Sequence, residues 1–211
     1  MRDIVQVMID WQIQNRRVIL ASGSPRRKII LEQMGLSITV VKPHAINEQE
    51  HINSDDLDGS IQKLASLKAS EVAKNNPDAL VIGADTIVVR GKRVLGKPTG
   101  VDDAREMLRF LSGNVHTVMT GVALRCESLN YTRTIVESTD VYFRDIQECE
   151  IDHYLTHDEY VDKAGSYAIQ GRAMIFIDKI AGCYYNVVGL PVSCTINLLK
   201  AFIVRKESAD V

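Results

Sequence analysis

Ser22-Gly23-Ser24-Pro25-Arg26-Arg27 is the densest anion-binding chemistry in the chain. Small residues leave backbone N–H groups accessible, and a helix starting at Pro25 would aim the positive end of its dipole at the loop. Two arginines in a first helical turn oppose that dipole and repel each other. As plain structure they are mildly unfavourable; a bound polyphosphate would reverse this, because a guanidinium grips phosphate in a bidentate fork. Two solvated arginines on a surface helix are the competing reading. The loop is not a Walker A loop, since Gly-x-x-x-x-Gly-Lys-Ser/Thr is absent.

A second candidate is Gly83-Ala84-Asp85-Thr86. A carboxylate set in an apolar strand run is costly unless it is used or paired. Asp85 could hold a divalent metal or take a proton from water; a bend residue bonded to Thr86 or to local backbone is the alternative. Lys97, in the tight turn Gly96-Lys97-Pro98, stands a short hairpin from Asp85 and could neutralise developing phosphate charge. Lys68 sits on a helix between the small residues Ala65 and Ala69, and Glu48 is a further acid in the loop after the second strand. Alone, each of these charges reads as solvated surface. In DKAGSYAIQG, Asp162 to Gly171, Gln170 offers both a donor and an acceptor, which suits a base edge, with a structural turn as the alternative. Cys149, His153 and His157 are four apart, as ligands on one helix face would be. Their neighbours Glu150, Asp152, Asp158 and Glu159 read instead as a solvated polar face. No Gly-x-Ser-x-Gly elbow is present.

These groups need positioning elements. Val18 to Ala21 reads as a buried strand, and Ser24-Pro25 opens a helix that stops at Gly35. Ile38 to Val41 is a second strand. A polar loop then leads to a helix over Gly59 to Lys74. Ala79 to Ala84 is the clearest buried strand, continued by Thr86 to Val89. Further expectations are a helix over Asp102 to Leu111, paired strands at His116 to Leu124 and Tyr131 to Phe143, and a helix over Glu148 to Leu155. A strand from Met174 to Ile180 and a last helix from Val192 to Val204 complete the pattern. It is α/β with a mixed sheet.

The 211 residues carry 25 Lys plus Arg against 27 Asp plus Glu, a net charge of -2, and are 45% hydrophobic. That composition is globular and lacks the basic excess of a general nucleic-acid binder. No apolar run approaches the ~18–20 residues that span a bilayer. The opening segment carries Asp3 and Asp10 without a compact apolar stretch, so it is not a secretory signal; it is a loose helix or an extension outside the core. Cys126, Cys149, Cys183 and Cys194 form no C-x-x-C pair and read as reduced thiols of a cytoplasmic protein.

Seven stretches, in order, resemble the Maf family of nucleotide pyrophosphatases: LASGSPRRKIILEQMGL, KLASLKA, VIGADTIVV, GKPTGVDDAREMLRFLSGNVHTVMTGVAL, STDVYF, DKAGSYAIQG and YYNVVGLP. They cover nearly all of Val18 to Leu199, leaving residues 1–17 as an extension, a domain over 18–205 and a tail over 206–211. The resemblance implies an elongated α/β fold with a mixed twisted sheet, flanking helices and two lobes about a cleft, similar to inosine triphosphate pyrophosphatases. It implies hydrolysis of dTTP and UTP, and of related modified pyrimidine nucleotides, to the monophosphate and pyrophosphate, a house-cleaning of nucleotide pools. By that resemblance Asp85 matches the proposed proton acceptor, and Ser22, Arg27, Glu48, Lys68 and Lys97 match polar residues of the catalytic cleft. In the mechanism expected from these residues Glu48 and Asp85 would share Mg²⁺ or Mn²⁺, and Arg27, Lys68 and Lys97 would offset phosphate charge. Ser22 lines the site, while Arg26, Thr86 and Gln170 match specificity positions. A homodimer is implied as well, while the charge balance and the lack of a spanning apolar run lead to the expectation of no nucleic-acid or membrane partner. An inosine or xanthosine triphosphate pyrophosphatase and a non-hydrolysing regulator of septum formation are the rival functions. Asn47-Glu48 replaces the acidic pair frequent in the family, and Glu159-Tyr160 replaces Glu-Pro.

Overall fold

The computed structural model describes residues 16–44 and 46–207. The expectations for residues 1–15, and for the tail from 208 onward, lie outside the described residues. Seven strands form one mixed sheet in the order β2-β1-β3-β5-β6-β7, with β4 paired to β3. They are β1 (Val18–Ala21), β2 (Ile38–Val40), β3 (Leu80–Arg90), β4 (Arg93–Leu95), β5 (Val115–Cys126), β6 (Tyr131–Phe143) and β7 (Ile177–Ala181). The helices are α1 (Pro25–Gln33), α2 (Leu57–Lys74), α3 (Val101–Leu111), α4 (Glu148–Leu155), α5 (Tyr184–Val188) and α6 (Val192–Glu207). The expected mixed sheet with flanking helices is the observed one.

The chain divides into two compact units. The first comprises the described residues up to Asp85, Gly121–Val136 and the chain from Gly189. In it β1 runs parallel to both β2 and β3. Pro25 starts α1 at its first turn, and Gly35, at φ 85°, ends it. The Gly35 N–H donates to the Glu32 carbonyl and the Leu36 N–H to the Leu31 carbonyl, satisfying two last-turn acceptors. Helix α2 begins two residues before the expected Gly59 because the Asp56 carboxylate accepts from the Gly59 N–H at 2.9 Å. Ala65, Ala69 and Ala73 recur every fourth residue along α2 and are buried with Ile19, Val81 and Ala123.

Two glycines let α2 lie directly on the strands. A β-carbon at Gly83 of β3 would sit 2.3 Å from the Ala65 carbonyl oxygen, and one at Gly121 of β5 would sit 2.5 Å from that of Ile61. Neither approach admits any side chain.

The second unit comprises Thr86–Thr120 and Glu137–Val188. Its core joins Leu108 and Leu111 of α3 to Val88, Val141, Phe143 and Phe176. The strand expected from Met174 is shorter. Residues Arg172–Phe176 form a 3₁₀ turn, and β7 starts only at Ile177. The Glu159 carboxylate accepts from the Arg172 N–H at 2.7 Å and pins that turn, with Met174 and Ile175 pointing outward. The turn Ala164–Ser166 and the short helix α5 are elements the apolar pattern did not announce.

Candidate active site

In the local order β2-β1-β3, β1 has a parallel neighbour on each side. The chain leaves β1 in one direction and returns on the other, so the carboxyl end of β1 is a topological switch point, where open α/β sheets bind ligands. The register pairs Ala21 with Gly83. Ser22 therefore emerges beside Ala84, and α1 starts at the mouth of the parallel strands.

Ser22 is buried, and its Oγ accepts from the Ser24 N–H at 3.2 Å and from Arg27 Nη1 at 2.9 Å. Ser24 places no side-chain oxygen on the first turn of α1. Arg27 also donates from Nη1 to the Ala84 carbonyl and from Nε to the Gly189 carbonyl, both at 2.8 Å. Its guanidinium thus joins the loop after β1, the middle of β3 and the segment after α5. Burial pulls the Arg27 pKa down, opposed by the Asp85 and Glu48 charges. Burial acts the same way on Arg26, which is half-buried beside it.

Asp85 is buried at 4% exposure. Lys68 projects from α2, one turn past the Ala65 contact with Gly83, and its ammonium ion-pairs with Asp85 Oδ1. The same ammonium donates to Glu48 Oε1 at 2.6 Å. Asp85 Oδ2 is buried and has no hydrogen-bond partner. Burial pushes the Asp85 carboxyl above the ordinary range; Lys68 and Arg27 hold it back, while Glu48 adds to the rise. Glu48 opens a 3₁₀ turn over Glu48–His51. Asn47 spends its side-chain amide within that turn, donating to Glu50 Oε1 at 2.6 Å.

Glu48, Lys68, Asp85, Arg27 and Ser22 are therefore assembled within the first unit. Thr86, Lys97 and Gln170 belong to the second. Thr86 Oγ1 lies 2.9 Å from Thr120 Oγ1, and the Thr120 hydroxyl donates to the Asn186 carbonyl at 3.2 Å. Asn186 is itself buried, donating from Nδ2 to the Val118 carbonyl at 2.9 Å and to Thr139 Oγ1 at 3.0 Å. Lys97 is exposed just after Gly96, whose carbonyl accepts from the Gly165 N–H at 3.0 Å. Gln170 is exposed in the turn that the Gly171 N–H closes on the Ala168 carbonyl. Tyr167, three residues earlier, is buried with its hydroxyl 2.7 Å from His116 Nε2.

Sequence reasoning missed Gly121, Thr120, Asn186 and Gly189 as parts of these arrangements. Asn186 had a signal, a polar side chain inside the apolar run YYNVVGLP. His153 and His157 stack edge to face with ring centroids 5.1 Å apart. Among the described residues, no group of three or more His, Cys, Asp or Glu side chains is gathered to hold a metal. No described helix is long and apolar enough to cross a membrane.

The profile of the family described as Maf-like protein matches residues 17–202. A dTTP/UTP pyrophosphatase of Bacillus cereus (strain G9842) is 48% identical over 187 residues, which is 89% of this chain and 96% of the relative. Proteins of the same name from Bacillus thuringiensis subsp. konkukian and Bacillus anthracis are 47% identical over the same shares.

Proposed function

Because this chain belongs to the family of Maf-like proteins, we propose that it is a nucleoside triphosphate pyrophosphatase acting on dTTP and UTP. Water attacks the α-phosphorus, the bond from that phosphorus to the bridging oxygen breaks, and the products are the monophosphate and pyrophosphate. The observation that carries the reading is Asp85: a buried carboxylate at a strand switch point, with one oxygen held by Lys68 and the other without a partner.

An ordinary Asp, with a pKa near ~3.9, is a poor base at neutral pH. Burial raises the Asp85 pKa above that of an ordinary Asp. Its unpartnered Oδ2 is the atom we assign to accept the proton of the attacking water. Arg27, held by two carbonyls and Ser22 Oγ, offsets phosphate charge without having to reorganise. The carboxylates also fit a divalent ion. They are hard oxygen donors that converge on one cationic group, the Lys68 ammonium, and Mg²⁺ characteristically takes one or two carboxylates plus substrate phosphates. Glu48 and Asp85 would hold Mg²⁺ or Mn²⁺, which supplies Lewis-acid activation of water and phosphoryl oxygen.

Further parts of the proposal are Lys97 as a phosphate contact and Arg26, Thr86 and Gln170 as selectors of the nucleotide. Residues 18–205 are proposed as the catalytic domain. The resemblance supports a homodimer, which sedimentation would detect. The four free cysteines support a cytoplasmic location. Pyrophosphate release from a panel of triphosphates with Mg²⁺ or Mn²⁺ tests the function. Preference for dTTP and UTP is expected. Preference for ITP or XTP, or binding without release, overturns it.

A further inference from the structure

The ammonium of Lys68 contacts both carboxylates that the proposed function assigns to a divalent ion. It lies 2.6 Å from Glu48 Oε1 and ion-pairs with Asp85 Oδ1. The Lys68 and Asp85 side chains are only 11% and 6% exposed, whereas the Glu48 side chain is 40% exposed. Two carboxylates that meet at one nearly buried ammonium repel each other, and the cation between them offsets that repulsion. The remaining Asp85 oxygen is buried and open.

We propose that Lys68 is the resident counter-ion of this carboxylate pair and that a divalent cation binds there only by displacing its ammonium. The inference rests on the ion assignment made above and goes beyond it. The Lys68 ammonium already holds one oxygen of each carboxylate, and a doubly charged ion at their remaining oxygens would stand beside it and be repelled through poorly screened space. Displacement is feasible because the ammonium ends a flexible four-carbon stem. It proceeds on the Glu48 side, where the contact is the more exposed of the two, so Glu48 releases the ammonium first and Asp85 last.

The test is Mn²⁺ binding to the full chain without nucleotide, followed by the paramagnetic resonance of free Mn²⁺. The comparison is between wild type, Lys68→Met, which keeps the stem without the charge, and Lys68→Arg, which keeps the charge. Lys68→Met is expected to bind Mn²⁺ at least tenfold more tightly than wild type, and Lys68→Arg no more tightly. Equal or weaker binding by a folded Lys68→Met overturns the proposal.

A measurement on wild type stands if that variant does not fold. With lysine labelled by ¹³C at Cε, saturation with Mg²⁺ is expected to move the Lys68 resonance, and an unmoved resonance at saturation overturns the proposal. Neither readout involves turnover. A chain that releases pyrophosphate but shows no gain in Lys68→Met loses only this inference. A chain without turnover on any triphosphate loses the proposed function while the titration still decides this one.

Discussion

Gly83 of β3 and Ala65 of α2 meet backbone to backbone: a β-carbon at Gly83 would stand 2.3 Å from the Ala65 carbonyl oxygen. Because Lys68 is one turn farther along α2 and Asp85 two residues farther along β3, this contact sets the reach of the ammonium to the carboxylate. Gly83→Ala must lift α2 from the strand. It is expected to cost about 1–3 kcal/mol in urea unfolding, as overpacking does. Pyrophosphate release should fall at least tenfold in the fraction that remains folded.

Asp85→Asn keeps the shape of the side chain and removes the proton acceptor. Turnover of dTTP is expected to fall by about 10²–10⁴, the range of positioned acid–base groups. Circular dichroism should remain close to wild type, while urea unfolding should show a loss of stability, because the nearly buried Lys68 ammonium keeps only Glu48 as its counter-charge. Wild-type-like release of pyrophosphate would remove Asp85 from the role.

Arg27→Lys preserves the charge and loses the fork. The Ala84 and Gly189 carbonyls, each 2.8 Å from an Arg27 nitrogen, cannot both be reached by a single ammonium in the same geometry. A loss of about 1–3 kcal/mol of stability is expected from the broken charged hydrogen bonds. A fall of about 10²–10³ in rate is expected from the misplaced phosphate contact. Unfolding curves and steady-state assays separate the two.

His116 ties stability to pH. Burial, with a smaller push from Arg90, lowers its pKa to about 4, and Asp140 opposes the change. In the unfolded chain an imidazole titrates near ~6.5. Between those values the unfolded state binds the extra proton, so stability rises with pH through this window. The contribution is complete above the unfolded pKa and is lost as pH falls toward the folded one. From pH 7 to pH 5 the loss attributable to this residue is about 2 kcal/mol. The wild-type curve minus that of His116→Gln, from urea unfolding at both pH values, isolates it.

Thr120→Val removes the hydroxyl between Thr86 Oγ1 and the Asn186 carbonyl, leaving a fully buried acceptor without that donor. A loss of about 1–3 kcal/mol is expected, and Thr120→Ser should restore most of it. Thermal denaturation of the three proteins provides the comparison.

The strand, loop and helix around Ser22 to Arg27 were legible because each step has local chemistry: an apolar run, a proline at the helix start, a glycine past its end. Asp85 was legible as a charge in an apolar strand. What pairs with it was not. Nothing in the spacing of Glu48, Lys68 and Asp85 announces a common ion pair, which depends on how closely α2 approaches β3. The glycines that permit the approach look, in one dimension, like ordinary strand interruptions. The region after Gly171 misled for the opposite reason. Its apolar alternation resembles a strand, but the Glu159 carboxylate captures the Arg172 N–H and winds the first residues into a turn.

The Arg27 guanidinium bonds a carbonyl 162 positions away in the chain and another 57 positions away. Contacts of such long range close large loops, and their formation has to overcome the entropy of that closure. No nascent chain that stops short of Gly189 can assemble the Arg27 cluster. Activity during refolding should therefore not return before the Gly189 segment has docked, making catalysis itself a reporter of completed folding.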